Sequence, residues 1–267
     1  MPAKLGTALV TGASSGIGAT YADRLAKRGY DLILVARDIA KLQTLAARLE
    51  AETGATVRSI KADLTDRADL RAVEQVLRED AAITLLVNNA GMAALGPFST
   101  GDIDVNEAVI DLNVTALTRL SHAAVTAFLA RGGGSIVNIA SVLAFGHDLS
   151  PGVYSATKSY VVTFSRGLNV ELAGKGVYVQ AVLPAATRTE IWEKSGISAD
   201  SLPAGPVMGV DDLVDAALVG FDNGELVTLP SLPDDALWRV FDQARSAMMS
   251  DVRHDKPAAR YREAVKV

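Results

Sequence analysis

The chain contains no cysteine, which excludes a disulfide framework, a thiolate metal site and a cysteine nucleophile. Its three histidines, His122, His147 and His254, are scattered and lack metal-ligand spacing. An excess of positive charge is missing too. Lys and Arg total 26 against 31 Asp and Glu, a net charge of -5, whereas a general nucleic-acid binder needs a basic face. Long hydrophobic runs are absent: Ile83-Thr84-Leu85-Leu86-Val87 falls far short of the roughly 20 residues that a membrane span requires. The opening MPAKLGTALV passes straight into a glycine-rich turn and does not read as a signal peptide. Together these absences lead us to expect a soluble, cytoplasmic protein without a bound metal, a nucleic-acid partner or a membrane span.

What is present is a folding composition, 49% hydrophobic and 21% charged over 267 residues. Short Val-, Ile- and Leu-rich runs with little alternation, at 7–11, 31–36, 56–61, 84–88, 135–140, 177–183 and 225–229, read as strands buried on both faces. Between them lie helical patterns near 16–28, 39–53, 66–80, 102–130, 153–173 and 210–221. Repeated βα units predict an α/β fold: a Rossmann-like, doubly wound, mostly parallel sheet of seven strands with helices on both faces. We expect a catalytic domain over 1–230 and a C-terminal helical extension over 231–267, with an amphipathic helix near 234–249 and a charged, partly disordered tail. Residues 185–209 carry apolar side chains without a clean period and read as a mobile cover beside the site.

Thr11-Gly12-Ala13-Ser14-Ser15-Gly16-Ile17-Gly18 follows the first strand and opens the first helix. Glycines there permit a tight turn and let the backbone approach a pyrophosphate, which the free N–H groups of the helix start then receive. At the end of the second strand stands Arg37, 19 positions after Gly18, where an acid would bind the ribose 2′-hydroxyl of NAD. A cation suits a 2′-phosphate, so NADP(H) is expected rather than NAD(H). Asp38 follows at once; it weakens that reading unless it caps the helix 39–53.

Tyr154-Ser155-Ala156-Thr157-Lys158 sets a phenol and an ammonium on one face of a helix. A phenol near a positive charge can exchange a proton with a carbonyl or alcohol near neutral pH. Ser141 ends the fifth strand, 13 residues earlier; Asn88-Asn89-Ala90-Gly91 ends the fourth, and Asn113 lies in the helix after it. All fall at the carboxyl edge of the sheet, where open α/β sheets bind ligands.

From about residue 5 to residue 190 the sequence resembles the short-chain dehydrogenase/reductase family, in its single-domain form. TGASSGIG matches the family's cofactor turn, and Asp63-Leu64 the pair that receives the adenine. Asn88-Asn89-Ala90-Gly91 matches the segment that stabilises the sheet and lines the cofactor site. Asn113, Ser141, Tyr154 and Lys158 match the four catalytic positions. The resemblance implies that Tyr154 is the general acid in reduction and the base in oxidation. Lys158 lowers its pKa and bonds the nicotinamide ribose, Ser141 holds the substrate oxygen, and Asn113 positions a water linking Lys158 to solvent. Gly12, Ser14, Ser15, Gly16, Ile17, Gly18, Arg37, Asp63, Leu64, Asn89, Ala90, Gly91, Tyr154, Lys158, Pro184, Thr187 and Thr189 then line the cofactor. One departure stands out: Ala185 replaces a glycine usual after Pro184.

For the substrate, Ser141, His147 and Trp192 are the candidate contacts, with Trp192, Ile191 and Met208 forming an apolar lid. A hydrophobic ketone, aldehyde or 3-oxoacyl compound is expected, turned over by an NADP-dependent oxidoreductase. The other readings are a non-catalytic dinucleotide-binding regulator, an NAD-dependent hydroxy-acid dehydrogenase, and an epimerase or dehydratase; the last usually carries a larger C-terminal substrate domain. The family implies a homodimer or homotetramer through helices 102–130 and 153–173.

Overall fold

Seven short strands carry the architecture in the computed structural model, which describes residues 5–94, 97–146, 148, 152–187 and 207–262. They are β1 (Thr7–Thr11), β2 (Asp31–Ala36), β3 (Val57–Lys61), β4 (Ile83–Asn88), β5 (Gly134–Ile139), β6 (Val177–Val182) and β7 (Val227–Thr228). Their order is β3-β2-β1-β4-β5-β6-β7, and every neighbouring pair is parallel. This is the expected doubly wound sheet. Chain direction across the sheet reverses between β1 and β4, opening a crevice at their carboxyl ends.

Strand side chains alternate between two apolar layers. Ala8, Val10, Leu32 and Leu34 pack beneath α1 (Gly16–Lys27), α2 (Ile39–Thr53) and α7 (Val210–Asp222). Leu9, Ile33 and Val35 face the opposite layer, with Leu70, Val73 and Leu77 of α3 (Arg67–Glu79) and Leu120 and Phe128 of α5 (Leu117–Arg131). Val161 and Val162 of α6 (Val153–Glu171) join Ala140, Ala181 and Leu183 at the far end of the sheet. Helix starts follow the capping rule: Asp66 accepts from the N–H groups of Ala68 and Asp69, and Asp38 from that of Lys41.

Two expected elements differ. The single helix read over 102–130 is α4 (Ile103–Ile110), a π-helical turn over Asp111–Ala116, and then α5. A π turn inserts one extra residue and re-aims the side chains it carries; here it turns Asn113 inward, to 1% exposure. β7 is shorter than the 225–229 read from the sequence. Glu225 instead folds back on α7, its N–H donating to the Gly220 carbonyl at 2.9 Å.

Contacts divide the chain into two compact units, Met1–Ser231 and Leu232–Val267. The second contains α8 (Ala236–Asp251), whose first N–H groups include Ala236 N donating to Asp234 Oδ1 at 2.7 Å. Within α8 the Trp238 and Phe241 rings stack, centroids 5.7 Å apart. A 3-10 turn over Ala259–Tyr261 lies in the tail that was expected to be partly disordered. No helix among the described residues is long and apolar enough to cross a membrane. No group of His, Asp or Glu among them is placed to hold a metal.

Candidate active site

The crevice between β1 and β4 is closed at its base by a reciprocal polar link. Thr11 Oγ1 accepts the N–H groups of Asn89 and Ala90, both at 3.0 Å, and Asn89 Nδ2 donates to the carbonyls of Thr11 at 2.9 Å and Gly12 at 3.2 Å. Deeper in the sheet, Asn88 Nδ2 donates to Asn138 Oδ1 at 2.9 Å across the β4–β5 pair, and Asn138 Nδ2 donates to Ser165 Oγ on α6 at 2.9 Å. The Asn88-Asn89 pair therefore braces the protein's own sheet and the Thr11-Gly12 turn, and Ala90 and Gly91 follow at the crevice.

Above the Thr11–Asn89 link lies the glycine turn. Gly12 (φ 65) and Gly16 (φ 53) occupy left-handed conformations that side chains with a Cβ resist. A Cβ on Gly12 would come within 2.8 Å of Asn89 Nδ2, and one on Gly18 would collide with that same atom and with the Gly12 carbonyl oxygen. Ser14 sits in the turn, Ile17 packs on the core, and Ser15 N-caps α1 in an extended conformation without a side-chain cap bond. No acidic residue lies in the first turn of α1, so its N–H groups and positive dipole end face the crevice without a competing carboxylate. These features fit a pyrophosphate.

At the end of β2, Arg37 is 75% exposed and pairs loosely with Asp63 at the end of β3, 3.9 Å away. Asp38 Oδ1 accepts the Lys41 N–H at 3.0 Å, so Asp38 caps α2. Burial alone would raise the Asp63 carboxyl, but hydrogen bonds from the Thr65 hydroxyl and N–H, with the Arg37 charge, hold it below its ordinary value. Leu64, beside it, is buried in the core and contributes only backbone to the surface.

Asn113, Ser141, Tyr154 and Lys158 come together at the carboxyl ends of β4 and β5. Asn113 Oδ1 accepts the Met92 N–H at 3.0 Å; its Nδ2 donates to the Met92 carbonyl at 2.9 Å and to Thr157 Oγ1 at 3.1 Å. A Cβ on Gly91 would lie 3.2 Å from Asn113 Oδ1 and 3.5 Å from Lys158 Nζ, so the three residues converge. Lys158 Nζ donates to the Ile139 carbonyl at 2.9 Å and lies 5.7 Å from the centre of the Tyr154 ring. Ser141 is held by the end of β6: the Val142 N–H donates to the Pro184 carbonyl at 3.0 Å, and Ser141 Oγ accepts the Leu143 N–H at 3.2 Å. Its hydroxyl lies within hydrogen-bonding reach of the Tyr154 phenol.

Burial pushes the Tyr154 phenol up to about 12, against the pull of the Ser141 hydrogen bond, and draws the Lys158 ammonium down to about 8. The resemblance implies that Lys158 lowers the phenol. In this structure the net direction is upward, because loss of water around the phenolate is the largest effect, while the ammonium lies over the ring, 5.7 Å from its centre.

Pro184 is buried, and Ala185 takes the place of the usual glycine without strain: among the described residues no non-glycine φ is positive. Thr187 Oγ1 donates to the Ala185 carbonyl at 2.9 Å, and Thr187 forms a parallel bridge with Met208. Thr189, Trp192 with Ile191, and His147 lie outside the described residues. Three hydroxyls were missed from the sequence: Thr11, Thr157 and Ser159, the last donating to the Ala144 carbonyl and so tying the turn after Ser141 to α6. Thr11 and Thr157 lie inside the very motifs that were read, yet no local pattern says that their partners are 78 and 44 residues away.

A model of the short chain dehydrogenase family matches residues 6–199. The short-chain dehydrogenase from Sphingobium yanoikuyae in complex with NADPH is 56% identical, with a TM-score of 0.93 over 96% of this chain and 99% of its own. The bulky-bulky ketone specific alcohol dehydrogenase from Comamonas testosteroni is 50% identical, with a TM-score of 0.89 over 97% of this chain and 99% of its own. Rattus norvegicus 17-beta-hydroxysteroid dehydrogenase type 3 is 33% identical over 184 residues, 68% of this chain; the match spans 60% of that longer protein.

Proposed function

Because this chain belongs to the short-chain dehydrogenase family, we propose that it is an NADP(H)-dependent oxidoreductase that interconverts bulky, hydrophobic ketones and their secondary alcohols. The observation that carries this reading is the convergence of Ser141, Tyr154 and Lys158 beside a glycine turn that fits a pyrophosphate.

Tyr154 is the general acid. With its phenol held near 12 it is protonated at neutral pH and can donate to a ketone oxygen. Ser141 donates to the same oxygen and fixes its place against the phenol. Lys158, cationic below about 8, favours the phenolate that Tyr154 becomes, and it holds the nicotinamide ribose. Asn113, packed with Lys158 around Gly91, anchors the surroundings of the ammonium through its bonds to Met92 and Thr157. When bound, the nicotinamide supplies the hydride. In the oxidative direction Tyr154 takes the proton back.

Arg37 supports NADP over NAD. Its guanidinium is exposed at the end of β2, where a 2′-phosphate would lie, and the neighbouring Asp38 is engaged through Oδ1 as the α2 cap. The NADPH complex of the 56% identical protein agrees with this choice. A bulky ketone is supported by the substrate named for the 50% identical alcohol dehydrogenase. Exposed Phe98 and Phe145 also support it: the Phe98 Cβ lies 3.9 Å from a Cβ placed on Gly152, two residues before Tyr154. We extend the reading to a homodimer or homotetramer, supported by Ile103, Val105 and Ile110, which α4 leaves exposed, and tested by sedimentation.

The test is a ketone panel followed at the NADPH absorbance. Propiophenone and valerophenone should be reduced with higher kcat/KM than acetone. If no ketone in the panel oxidises NADPH, the reading is wrong.

A further inference from the structure

We propose that Thr157 is a positioning residue, one that locks the catalytic turn of α6 to the π turn carrying Asn113. The inference rests on the oxidoreductase reading above and concerns how that site is held in register.

Thr157 lies between the two residues that matter most on α6, directly before Lys158 and three after Tyr154. Its side chain is 3% exposed and uses its hydroxyl in two directions. Oγ1 donates its single proton to the Tyr154 carbonyl at 2.7 Å. It accepts the Asn113 Nδ2–H at 3.1 Å. A hydroxyl has one proton to give and lone pairs to receive, so the direction of the chain is set: Asn113 to Thr157 to the Tyr154 backbone. A valine of the same shape supports neither bond, whereas a serine supports both.

Asn113 has no donor left over. Its two Nδ2 protons go to the Met92 carbonyl and to Thr157, and its Oδ1 receives the Met92 N–H. It is 1% exposed, so water cannot replace a lost partner. The amide is therefore a two-sided clip, with the strand-end loop at Gly91-Met92 on one side and α6 on the other. The π turn allows this, because a regular helix through Asp111–Ala116 would rotate residue 113 off the line between them. Lys158 Nζ and Asn113 Oδ1 both lie within 3.5 Å of a Cβ built on Gly91, so an α6 that slides relative to the π turn shifts the ammonium in the crevice. Thr157 is the side chain that prevents this slide, because its hydroxyl reaches the π turn and the Tyr154–Lys158 turn together. It touches no reacting atom; it acts on Tyr154 and Lys158 through the backbone and Asn113.

The test compares Thr157→Val, Thr157→Ala and Thr157→Ser in the full-length enzyme, with propiophenone and NADPH. For Val and Ala we expect kcat to fall roughly tenfold to a hundredfold, the range for a small misplacement of catalytic groups. KM should stay within about threefold, and the NADPH Kd from fluorescence titration should rise by less than kcat falls, because the glycine turn and Arg37 are untouched and only the Lys158 contact to the ribose shifts. Thr157→Ser should recover most of the turnover. In the double variant Asn113→Ala/Thr157→Val, the loss should be close to that of Asn113→Ala alone, since both break one link.

Three outcomes would overturn the inference: Val and Ala variants that keep full turnover, Val and Ala variants that lose NADPH binding along with turnover, or a Ser variant no better than Val. Alanine is included because it favours the helix and adds no bulk, so a Val variant that fails to fold leaves the comparison intact. Wild-type enzyme that oxidises no NADPH with any ketone would instead defeat the functional reading, a result that the unmodified protein alone decides.

Discussion

Asn89 Nδ2 donates to the Thr11 carbonyl at 2.9 Å while the Thr11 hydroxyl receives the Asn89 N–H at 3.0 Å. This two-way bond fastens the end of β1 to the end of β4 at the point where the sheet changes direction, directly beneath the glycine turn. Thr11→Val would leave the Ala90 N–H without its acceptor in a half-buried site, and the Asn89 N–H with the Val87 carbonyl alone, at 3.1 Å. An unsatisfied buried donor costs about 1–3 kcal/mol. We expect a melting temperature lower by about 4 °C or more, together with weaker NADPH binding. Calorimetry with and without NADPH checks both; an unchanged melting temperature would mean that the link is ornamental.

Arg37→Asp should lower NADPH affinity and narrow or invert the preference over NADH. A charged hydrogen bond of this kind contributes about 1.5–3 kcal/mol, or ten- to a hundredfold in Kd. Paired fluorescence titrations with the two cofactors measure the ratio. Tighter binding of NADH than NADPH to the unmodified protein would contradict the assignment.

Tyr154→Phe should remove nearly all turnover and leave NADPH binding largely intact, since the ring remains and only the transferable proton is lost. Single-turnover measurements with a saturating ketone separate this from a binding defect. More than a few per cent of residual rate would require another proton donor.

Lys158 carries a stability cost whose pH dependence has a definite sign. Burial draws the folded value down to about 8 from the ordinary 10.5. Between those values the unfolded chain holds a proton that the folded protein has lost, so stability rises with pH across this window. Below about 8 both forms are charged, and the full cost is present, of order 3 kcal/mol before the Ile139 hydrogen bond is counted. Lys158→Met should therefore stabilise the protein at neutral pH, by about 1–2 kcal/mol once that bond is lost, while abolishing turnover. Its advantage should shrink as pH rises through 8 towards 10.5. Chemical denaturation at several pH values measures the difference between the two proteins; a constant difference would show that the cost is not the buried charge.

Much of the site was legible because it is local. Seven unalternating apolar runs, each bounded by helical periodicity, specify a parallel sheet, and a strand followed by TGASSGIG specifies a turn whose backbone must lie close to a ligand. The Tyr154–Lys158 pair needs only the helical repeat to share a face. In each case the residues that cooperate are within a few positions of one another, and the periodicity of the backbone turns spacing directly into geometry.

Tertiary structure decided the remainder. Helical periodicity could not distinguish a continuous helix over 102–130 from one with a π turn at Asp111–Ala116, since one inserted residue barely disturbs the apolar pattern. It nonetheless changes where Asn113 points. Asp38 had two readings from its place beside Arg37, ribose ligand or helix cap, and the cap prevailed because the α2 start brings the Lys41 N–H within 3.0 Å. The direction of the Tyr154 shift also depended on the fold, because charge sequence spacing shows a nearby lysine but not how much water has been removed. Chain sequence alone therefore determined the fold class and the identity of the chemical groups. Which buried polar atoms meet across 44 or 78 residues, and how far burial retunes them, depends on packing that no local pattern encodes.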